Sequence, residues 1–155
     1  MLAISRAVPQ DAEAILALQK LAYQSEAKLY KDWSLPPLTQ SLESLLVEFA
    51  SSVILKAVSG ERIVGAVRAK LASGTCTIGR LAVHPDFQGQ GIGSALLKNI
   101  EASFPDASRY ELFTGSRSQA NIRLYQRHGY TISRTQILSP TASLTFLEKL
   151  ANLAP

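Results

Sequence analysis

One stretch decides the fold of this chain: it runs from Leu81 to Leu97 and reads LAVHPDFQGQGIGSALL. Its first residues close an apolar and β-branched run, 75–83, that predicts a buried strand. His84-Pro85-Asp86 ends that strand, because proline cannot donate to a ladder and disfavours helix in the residue before it. After three glycines, apolar residues recur at helical spacing: Ile92, Ala95, Leu96 and Ile100. The stretch therefore predicts a strand, a glycine loop and a helix, in that order.

The glycine loop predicts an anion-binding site. The first turn of a helix leaves backbone N–H groups without partners, and the macrodipole adds partial positive charge there. Gly89, Gly91 and Gly93 carry no Cβ that would keep an anion from those donors, and Ser94 adds a hydroxyl. A pyrophosphate is therefore the expected ligand. The structural alternative is a turn that only lets the helix pack closely.

The spacing of this loop excludes two common phosphate motifs and fits a third. A dinucleotide fold needs G-x-G-x-x-G early in a βαβ unit, and a P-loop needs Gly-Lys-Ser/Thr, which does not occur here. Gln88-x-x-Gly91-x-Gly93 instead resembles the Q/R-x-x-G-x-G/A signature of the GCN5-related N-acetyltransferase (GNAT) family. The flanking Leu-Ala-Val-His-Pro and Ser-Ala-Leu-Leu match the same family. The resemblance implies acetyl-CoA (coenzyme A) as cofactor, bound by Leu81, Ala82, Val83, Gln88, Gly89, Gln90, Gly91, Ile92, Gly93 and Ser94.

The remaining segments predict one mixed α/β domain over 1–155. Before the loop come a strand at 2–8, a helix that Asp11 caps and that runs to about Tyr30, a second helix capped by Thr39, and three antiparallel strands at 53–58, 63–71 and 75–83. After the loop helix come a strand at 109–114, a helix that Ser118 caps and that ends at His128-Gly129, and strands at 130–138 and 143–150. The order βααβββαβαββ indicates a single, largely antiparallel sheet flanked by helices. It is similar to the acyl-CoA N-acyltransferase (GNAT) fold over nearly the whole chain.

A second motif, at 118–130, resembles the closing motif of the same family. Asn121 and Tyr125 lie four residues apart and so project from one helix face. In the family the tyrosine is often placed near the cofactor sulfur, which implies Tyr125 as general acid for the leaving thiolate; the alternative is an ordinary core aromatic. Many members place an asparagine where this chain has Ser118. Either Ser118 or Asn121 is therefore expected to contact the pantetheine arm.

The chemistry that the resemblance implies is attack of an amine on the acetyl thioester. The oxyanion needs a fixed donor, which a backbone N–H at 81–83 supplies if the strand is bulged there. Relatives often carry an acid or histidine as base at positions that are Thr77 and Phe113 here, and neither can accept the proton. Glu111 lies on the same strand face as Phe113 and is the nearest replacement. His84 in its turn, or a chain of waters, remains an alternative.

The segment between the first two helices is the expected acceptor site. It offers Tyr23, Glu26, Tyr30 and Trp33 as substrate-binding residues, although a packed hinge would use the same residue types. Glu26, Asp32 and Glu48 would favour a cationic amine such as a polyamine or aminoglycoside. The acceptor is therefore expected to be a primary amine of a small molecule or peptide.

Bulk composition excludes several other classes of protein. The 155 residues are 46% hydrophobic and 18% charged, which is ordinary for a globular protein. The net charge of +4 is spread without a basic run, so no nucleic-acid partner is expected. The single Cys76 fits a reducing compartment, and no metal site, membrane span or signal pattern is expected. We expect a cytoplasmic protein and a possible homodimer through the last strand.

Three functional interpretations follow from the sequence. The first is an acetyl-CoA-dependent N-acetyltransferase. The second is a non-catalytic acyl-CoA-binding module, favoured by the missing base. The third is an interaction domain that uses the helix pair at 11–51. The first two predict binding of CoA, and only the first predicts release of free thiol with an amine.

Overall fold

A seven-stranded sheet forms the centre of the protein, in a computed structural model that describes residues 2–151. The strand order is β1-β2-β3-β4-β5-β7-β6, and every pair is antiparallel except β4 with β5. The strands are β1 (Leu2–Arg6), β2 (Val53–Ser59), β3 (Arg62–Ala72), β4 (Thr75–Val83), β5 (Arg109–Gly115), β6 (Thr131–Ser139) and β7 (Ala142–Leu150). The mixed, largely antiparallel sheet predicted from the sequence is confirmed.

Helices cover both faces of this sheet. They are α1 (Ala12–Ala22), α2 (Gln24–Tyr30), α3 (Pro36–Thr39), α4 (Leu42–Ser51), α5 (Ile92–Ala102) and α6 (Gln119–Arg127). One buried cluster lies under α5 and α6, and a second lies under α1 and α4. Gly65 of β3 lets α5 approach closely, since a Cβ there would stand 2.9 Å from Leu96 Cδ1. Full burial of Leu96 contributes roughly 1.5–3 kcal/mol, which fixes α5 and the loop before it on the sheet.

The helices before the hairpin depart from the sequence prediction. The helix expected from Asp11 to about Tyr30 breaks at Tyr23, where ψ is 2°, and gives α1 and α2. Thr39 is not a cap: it ends the one-turn α3, which Pro36 and Pro37 begin. Ser41 caps α4 instead, and its Oγ accepts a hydrogen bond from Ser44 N at 3.1 Å.

Asp11 also differs from its predicted role as a helix cap. It occupies the cap position of α1, but its side chain accepts no hydrogen bond from that helix. Its carboxylate accepts from Val8 N at 2.9 Å and from Lys56 Nζ at 2.8 Å. The Asp11 side chain therefore binds Lys56 of β2 and the backbone of the adjacent turn, and not the N–H groups of α1.

The parallel strands β4 and β5 pair over only three positions. The pairs are Thr75 with Arg109, Cys76 with Tyr110 and Thr77 with Glu111, and beyond them the two strands separate. The separation begins where β4 contains an extra residue: Ala66 faces Ala82, whereas Arg68 faces Gly79. Arg80 lies inside this bulge with φ at 53°. The centre of the sheet therefore opens into a gap at the carboxyl ends of β4 and β5.

Candidate functional site

A cleft of about 550 Å³ occupies the gap between β4 and β5. Its walls come from the α1–α2 junction, the end of β4, the glycine loop, the first turn of α5, and α6 with the residues before it. A volume in this range suits a cofactor or a drug-sized ligand. The cleft therefore brings together the two motifs that the sequence singles out.

The glycine loop presents unpaired backbone donors to this cleft. Gly89 and Gly91 adopt left-handed φ angles of 77° and 83°, and an added Cβ at either would meet no atom within 4 Å. The first helical hydrogen bond of α5 runs from Ala95 N to Gly91 O. The N–H groups of residues 92–94 precede it and have no acceptor within the helix. The loop thus has the open space and the donors that an anion needs.

Most predicted cofactor residues line this cleft. Those that do are Leu81, Ala82, Val83, Gln88, Gly89, Gly91, Ile92, Gly93, Ser94, Ser118 and Asn121, whereas Gln90 is exposed outside it. Gln88 donates from Nε2 to Val83 O at 3.4 Å, which ties the loop to the end of β4. His84 has a structural role in the turn, since its Nδ1 accepts from Asp86 N at 3.0 Å.

The end of β4 carries the bulge on which the predicted oxyanion donor depends. A bulge leaves backbone groups outside the strand ladder. The carbonyl of Leu81 is engaged by the hydroxyl of Tyr23, which donates to it at 3.1 Å. This hydrogen bond fixes the α1–α2 junction against β4, so the backbone at 81–83 faces the cleft beside an aromatic wall.

Helix α6 supplies the polar residues opposite the loop. Ser118 donates from Oγ to the carboxylate of Glu26 at 2.6 Å, so it does not cap α6 as predicted. Asn121 donates from Nδ2 to Thr114 Oγ1 at 3.3 Å, which leaves its carbonyl oxygen available to a ligand. These contacts fix both side chains where α6 faces the diverging strands.

Tyr125 lies on the same face of α6, deeper in the protein. It is 6% exposed, packs against Tyr130 and does not line the cleft wall. Burial raises the pKa of its hydroxyl well above the usual range, and the charges of Tyr23 and Glu26 raise that pKa further. No residue in the described range 2–151 accepts a hydrogen bond from this hydroxyl. Tyr125 is therefore protonated at neutral pH, as a proton donor must be.

The four predicted acceptor residues separate into two pairs. Tyr23 and Glu26 line the cleft, but Tyr30 and Trp33 do not. Tyr30 accepts a hydrogen bond from Arg117 N at 2.7 Å, and its ring fills the space that a Cβ at Gly115 would need. Tyr30 thus joins α2 to the end of β5. Trp33 is 57% exposed.

Glu111, the predicted base, is held away from the cleft. Alternation along β5 turns Tyr110 and Leu112 into the cluster under α5, and so turns Glu111 to the opposite face. There its carboxylate accepts a hydrogen bond from Arg109 at 2.8 Å. Within the described part of the chain, Glu26 is the only carboxylate that lines the cleft.

Sequence reasoning missed two cationic residues of the cleft wall, Arg117 and Arg127. Arg117 lies just before α6, and Arg127 is its last residue. Two arginines on a helix beside a predicted anion site were the sequence feature that could have indicated them. Within residues 2–151 no group of three potential metal ligands occurs. The same residues include no helix of the length and hydropathy needed to cross a membrane.

Comparison with known proteins identifies a matching family model. The model for the acetyltransferase (GNAT) domain matches residues 50–132, which is more than half of the chain. The UPF0157 protein YqkA of Bacillus subtilis (strain 168) is 27% identical over 124 residues, or 80% of this chain. The match covers 36% of YqkA, so this chain spans little more than a third of that protein.

Several solved structures share the fold. The PaiA N-acetyltransferase from Thermoplasma acidophilum, in complex with coenzyme A, superposes with a TM-score of 0.81 at 15% identity, covering 97% of this chain and 99% of its own. The ribosomal-protein-S18-alanine N-acetyltransferase from Escherichia coli gives a TM-score of 0.79 at 17% identity, covering 100% and 97%. The yncA protein from Salmonella typhimurium, determined with its cofactor acetyl-CoA, gives 0.76 at 20% identity, covering 99% and 95%. At these identities the likeness establishes the fold.

Proposed function

Because the chain belongs to the GNAT acetyltransferase family, we propose that it transfers an acetyl group from acetyl-CoA to a primary amine of a small molecule or peptide. The observation that carries this proposal is the continuous cleft. It extends from the unpaired N–H groups at the start of α5 to the gap between β4 and β5. One end therefore suits a diphosphate, and the other end places polar side chains and strand backbone around a reactive group.

The residues of the cleft fit the cofactor. The N–H groups of 92–94, with open space above Gly89 and Gly91, would hold the pyrophosphate. Arg117 and Arg127 add positive charge to the same wall. The backbone at 81–83 and the free carbonyl oxygen of Asn121 would hold the pantetheine arm. We favour Asn121 over Ser118 for this contact, since the hydroxyl proton of Ser118 is already given to Glu26.

Acetyl-CoA would supply the acetyl group as an activated thioester. The residues of the chain would stabilise the negative charge that develops on the thioester oxygen and would transfer the protons of the amine and of the leaving sulfur. Backbone N–H groups at the β4 bulge stabilise the oxyanion, because fixed dipoles need no reorganisation as charge develops. Tyr125 stays protonated through burial and donates its proton to the departing sulfur. Glu26 accepts the proton of the attacking amine, and the hydroxyl of Ser118 holds its carboxylate in place. We assign this role to Glu26 rather than Glu111, because Arg109 holds Glu111 outside the cleft.

Two measurements on the purified protein test the proposal. The first is a calorimetric titration with acetyl-CoA. The second is release of free thiol from acetyl-CoA in the presence of a panel of primary amines. Binding followed by amine-dependent thiol release supports the transferase, whereas binding without release by any amine would leave an acyl-CoA-binding module. A folded protein that does not bind acetyl-CoA would contradict both, and would favour an interaction domain.

A further inference from the structure

The acidic side chains that would attract a polyamine are all engaged by groups of the protein. Ser118 donates to Glu26, and Asp32 accepts from Ser34. Glu48 accepts from Ser52 Oγ at 3.1 Å and lies 3.9 Å from Arg68 Nε. Of the three, only Glu26 lines the cleft, so among the described residues the cleft offers no second carboxylate to a further cation of the acceptor. The other charged groups beside the bulge are arginine side chains.

Arg80, in the β4 bulge, has a guanidinium nitrogen, Nε, that is buried without a hydrogen-bond partner among the described residues. The structure likewise shows no ion pair between its guanidinium and a described carboxylate. Arg80 as a whole is half-buried, but a buried guanidinium nitrogen without an acceptor is costly, so this side chain can gain from an anion.

A second cation lies beside Arg80 and adds to the positive potential. Arg68 projects from β3 and donates from Nη1 to Gln40 Oε1 at 3.4 Å, and the amide of Gln19 donates to the same oxygen. Burial lowers the pKa of both arginines, and the charge of Arg80 lowers that of Arg68 further. Among residues 2–151, Glu48 is the one carboxylate whose charge acts on both arginines. Two cations thus share one acid, which leaves a net positive charge.

The space beside this pair limits the size of the anion. Arg68 and Arg80 line a cavity of about 10 Å³ between the sheet and α1, which is room for about one oxygen atom. A carboxylate can place one oxygen there, beside the guanidinium groups. Ala82 lines both this cavity and the large cleft, so one buried residue separates the two at the bulge.

We propose that Arg80, assisted by Arg68, binds a carboxylate of the acceptor, so that the substrate is an amine that also carries a carboxylate, such as an amino acid, rather than a polyamine. This inference rests on the proposed acetyl transfer. Tyr23 lies between the two charged ends of such a substrate, because its hydroxyl bonds to Leu81, next to Arg80, while its ring lines the cleft beside Glu26. The amine would face Glu26, and the carboxylate would face Arg80.

The test compares each amine acid with its own amide. Thiol release is measured with glycine, alanine and 4-aminobutyrate, and each acid is compared with its primary amide. Spermidine is the polyamine control. Each kcat/KM is calculated from the concentration of unprotonated amine. We expect the best acid to exceed its amide at least about 10-fold in kcat/KM. Arg80→Gly should lower kcat/KM for that acid about 10- to 100-fold, the range of a charge-assisted hydrogen bond, and should change the value for the amide little.

Arg80→Gly is a suitable variant, because a φ of 53° favours glycine. Its melting temperature is therefore expected to match or exceed that of the wild type. Arg6→Ala is the charge-matched control, since Arg6 is exposed on β1 far from the cleft, and it should behave as wild type. Arg80→Lys keeps the charge but loses the planar fork, so it should fall between wild type and Arg80→Gly. The KM for acetyl-CoA should not change in any of them.

A binding measurement completes the test without turnover. N-acetylglycine and N-acetylglycinamide are titrated by NMR into wild type and Arg80→Gly at constant ionic strength. We expect the carboxylate to bind more tightly than the amide in wild type only. Equal rates for acid and amide, a preference for spermidine, or equal binding of the two N-acetyl compounds would overturn the inference and leave the acetyl transfer intact. Absence of thiol release with every amine would instead count against the proposed function, and the N-acetyl pair would still decide the carboxylate site.

Discussion

Substitution of Gly91 by glutamate tests whether the loop before α5 binds the pyrophosphate. Gly91 caps α5 with φ at 83°, and its missing Cβ would meet no atom within 4 Å. A matched control exists in the turn between β2 and β3. Gly60 has φ at 63° and the same open space, but it lies in a turn that does not line the cleft. Glutamate therefore imposes similar backbone strain at both positions and places charge near the cofactor at only one.

The expected magnitudes separate strain from charge. A left-handed conformation costs a non-glycine residue about 1–2 kcal/mol, so both variants should melt roughly 2–8 °C below wild type. A carboxylate about 6 Å from one phosphate charge, at an effective dielectric constant of about 20, is repelled by about 3 kcal/mol. That energy corresponds to a loss of acetyl-CoA affinity on the order of 100-fold for Gly91→Glu. Gly60→Glu should bind acetyl-CoA as wild type does.

The assay is a calorimetric titration of acetyl-CoA into wild type, Gly91→Glu, Gly91→Ala and Gly60→Glu, with a melting curve for each. Gly91→Ala adds the strain without the charge, and its affinity should stay within about 10-fold of wild type. Raised ionic strength should restore part of the lost affinity of Gly91→Glu, since screening weakens the repulsion. Wild-type affinity in Gly91→Glu, or an equal loss in Gly60→Glu, would refute the placement of the pyrophosphate on this loop.

Other predictions concern the proton transfers and the free thiol. Tyr125→Phe should lower kcat for thiol release about 100-fold with little change in the KM for acetyl-CoA, and an unchanged kcat would remove the general acid. Glu26→Gln should lower kcat/KM for thiol release with little change in the KM for acetyl-CoA, whereas Glu111→Gln should leave kcat/KM as it is; the reverse result would return the base to Glu111. Burial raises the pKa of the Cys76 thiol to about 12, so its reaction with a disulfide reagent at pH 8 should proceed only as fast as the protein unfolds. Because only the unfolded thiol ionises near its ordinary pKa, the Cys76 contribution to the free energy of unfolding should be complete below about pH 8.5 and decline as the pH rises toward 12.

The sequence predicts the strand, loop and helix around 81–97 because their signals are local. Proline ends a strand because it has no N–H to donate to the neighbouring strand. Alternate glycines before an apolar helix are compatible with few structures other than a loop. The break at Tyr23 carried no such signal. Its hydroxyl bonds to Leu81, 58 residues away, and only the assembled fold supplies that partner.

The sequence could not show whether Glu111, the predicted base, faces the cleft, for a related reason. Counting along β5 shows correctly that Glu111 and Phe113 share a face, but it does not show which face meets the cleft. The register with β7 and the ion pair to Arg109 decide that, and both depend on distant residues. Glu26 was recognised as a residue for the acceptor, yet its hydrogen bond to Ser118 joins positions 92 residues apart.

The bulge in β4 links the fold to the chemistry, and the sequence contains its signature. Cys76 and Ile78 belong to the cluster under α5, and the partly buried Leu81 and Val83 pack against it, so the positions that face this cluster change from even to odd across Arg80. One extra residue produces this change, because alternation in a strand has a period of two. The same residue ends the pairing with β5, turns the backbone at 81–83 toward the cleft, and sends Ala82 to the opposite face, where it meets the cavity beside Arg80. The proposed cofactor contact on one face and the proposed acceptor contact on the other therefore both depend on a single irregularity in the central strand.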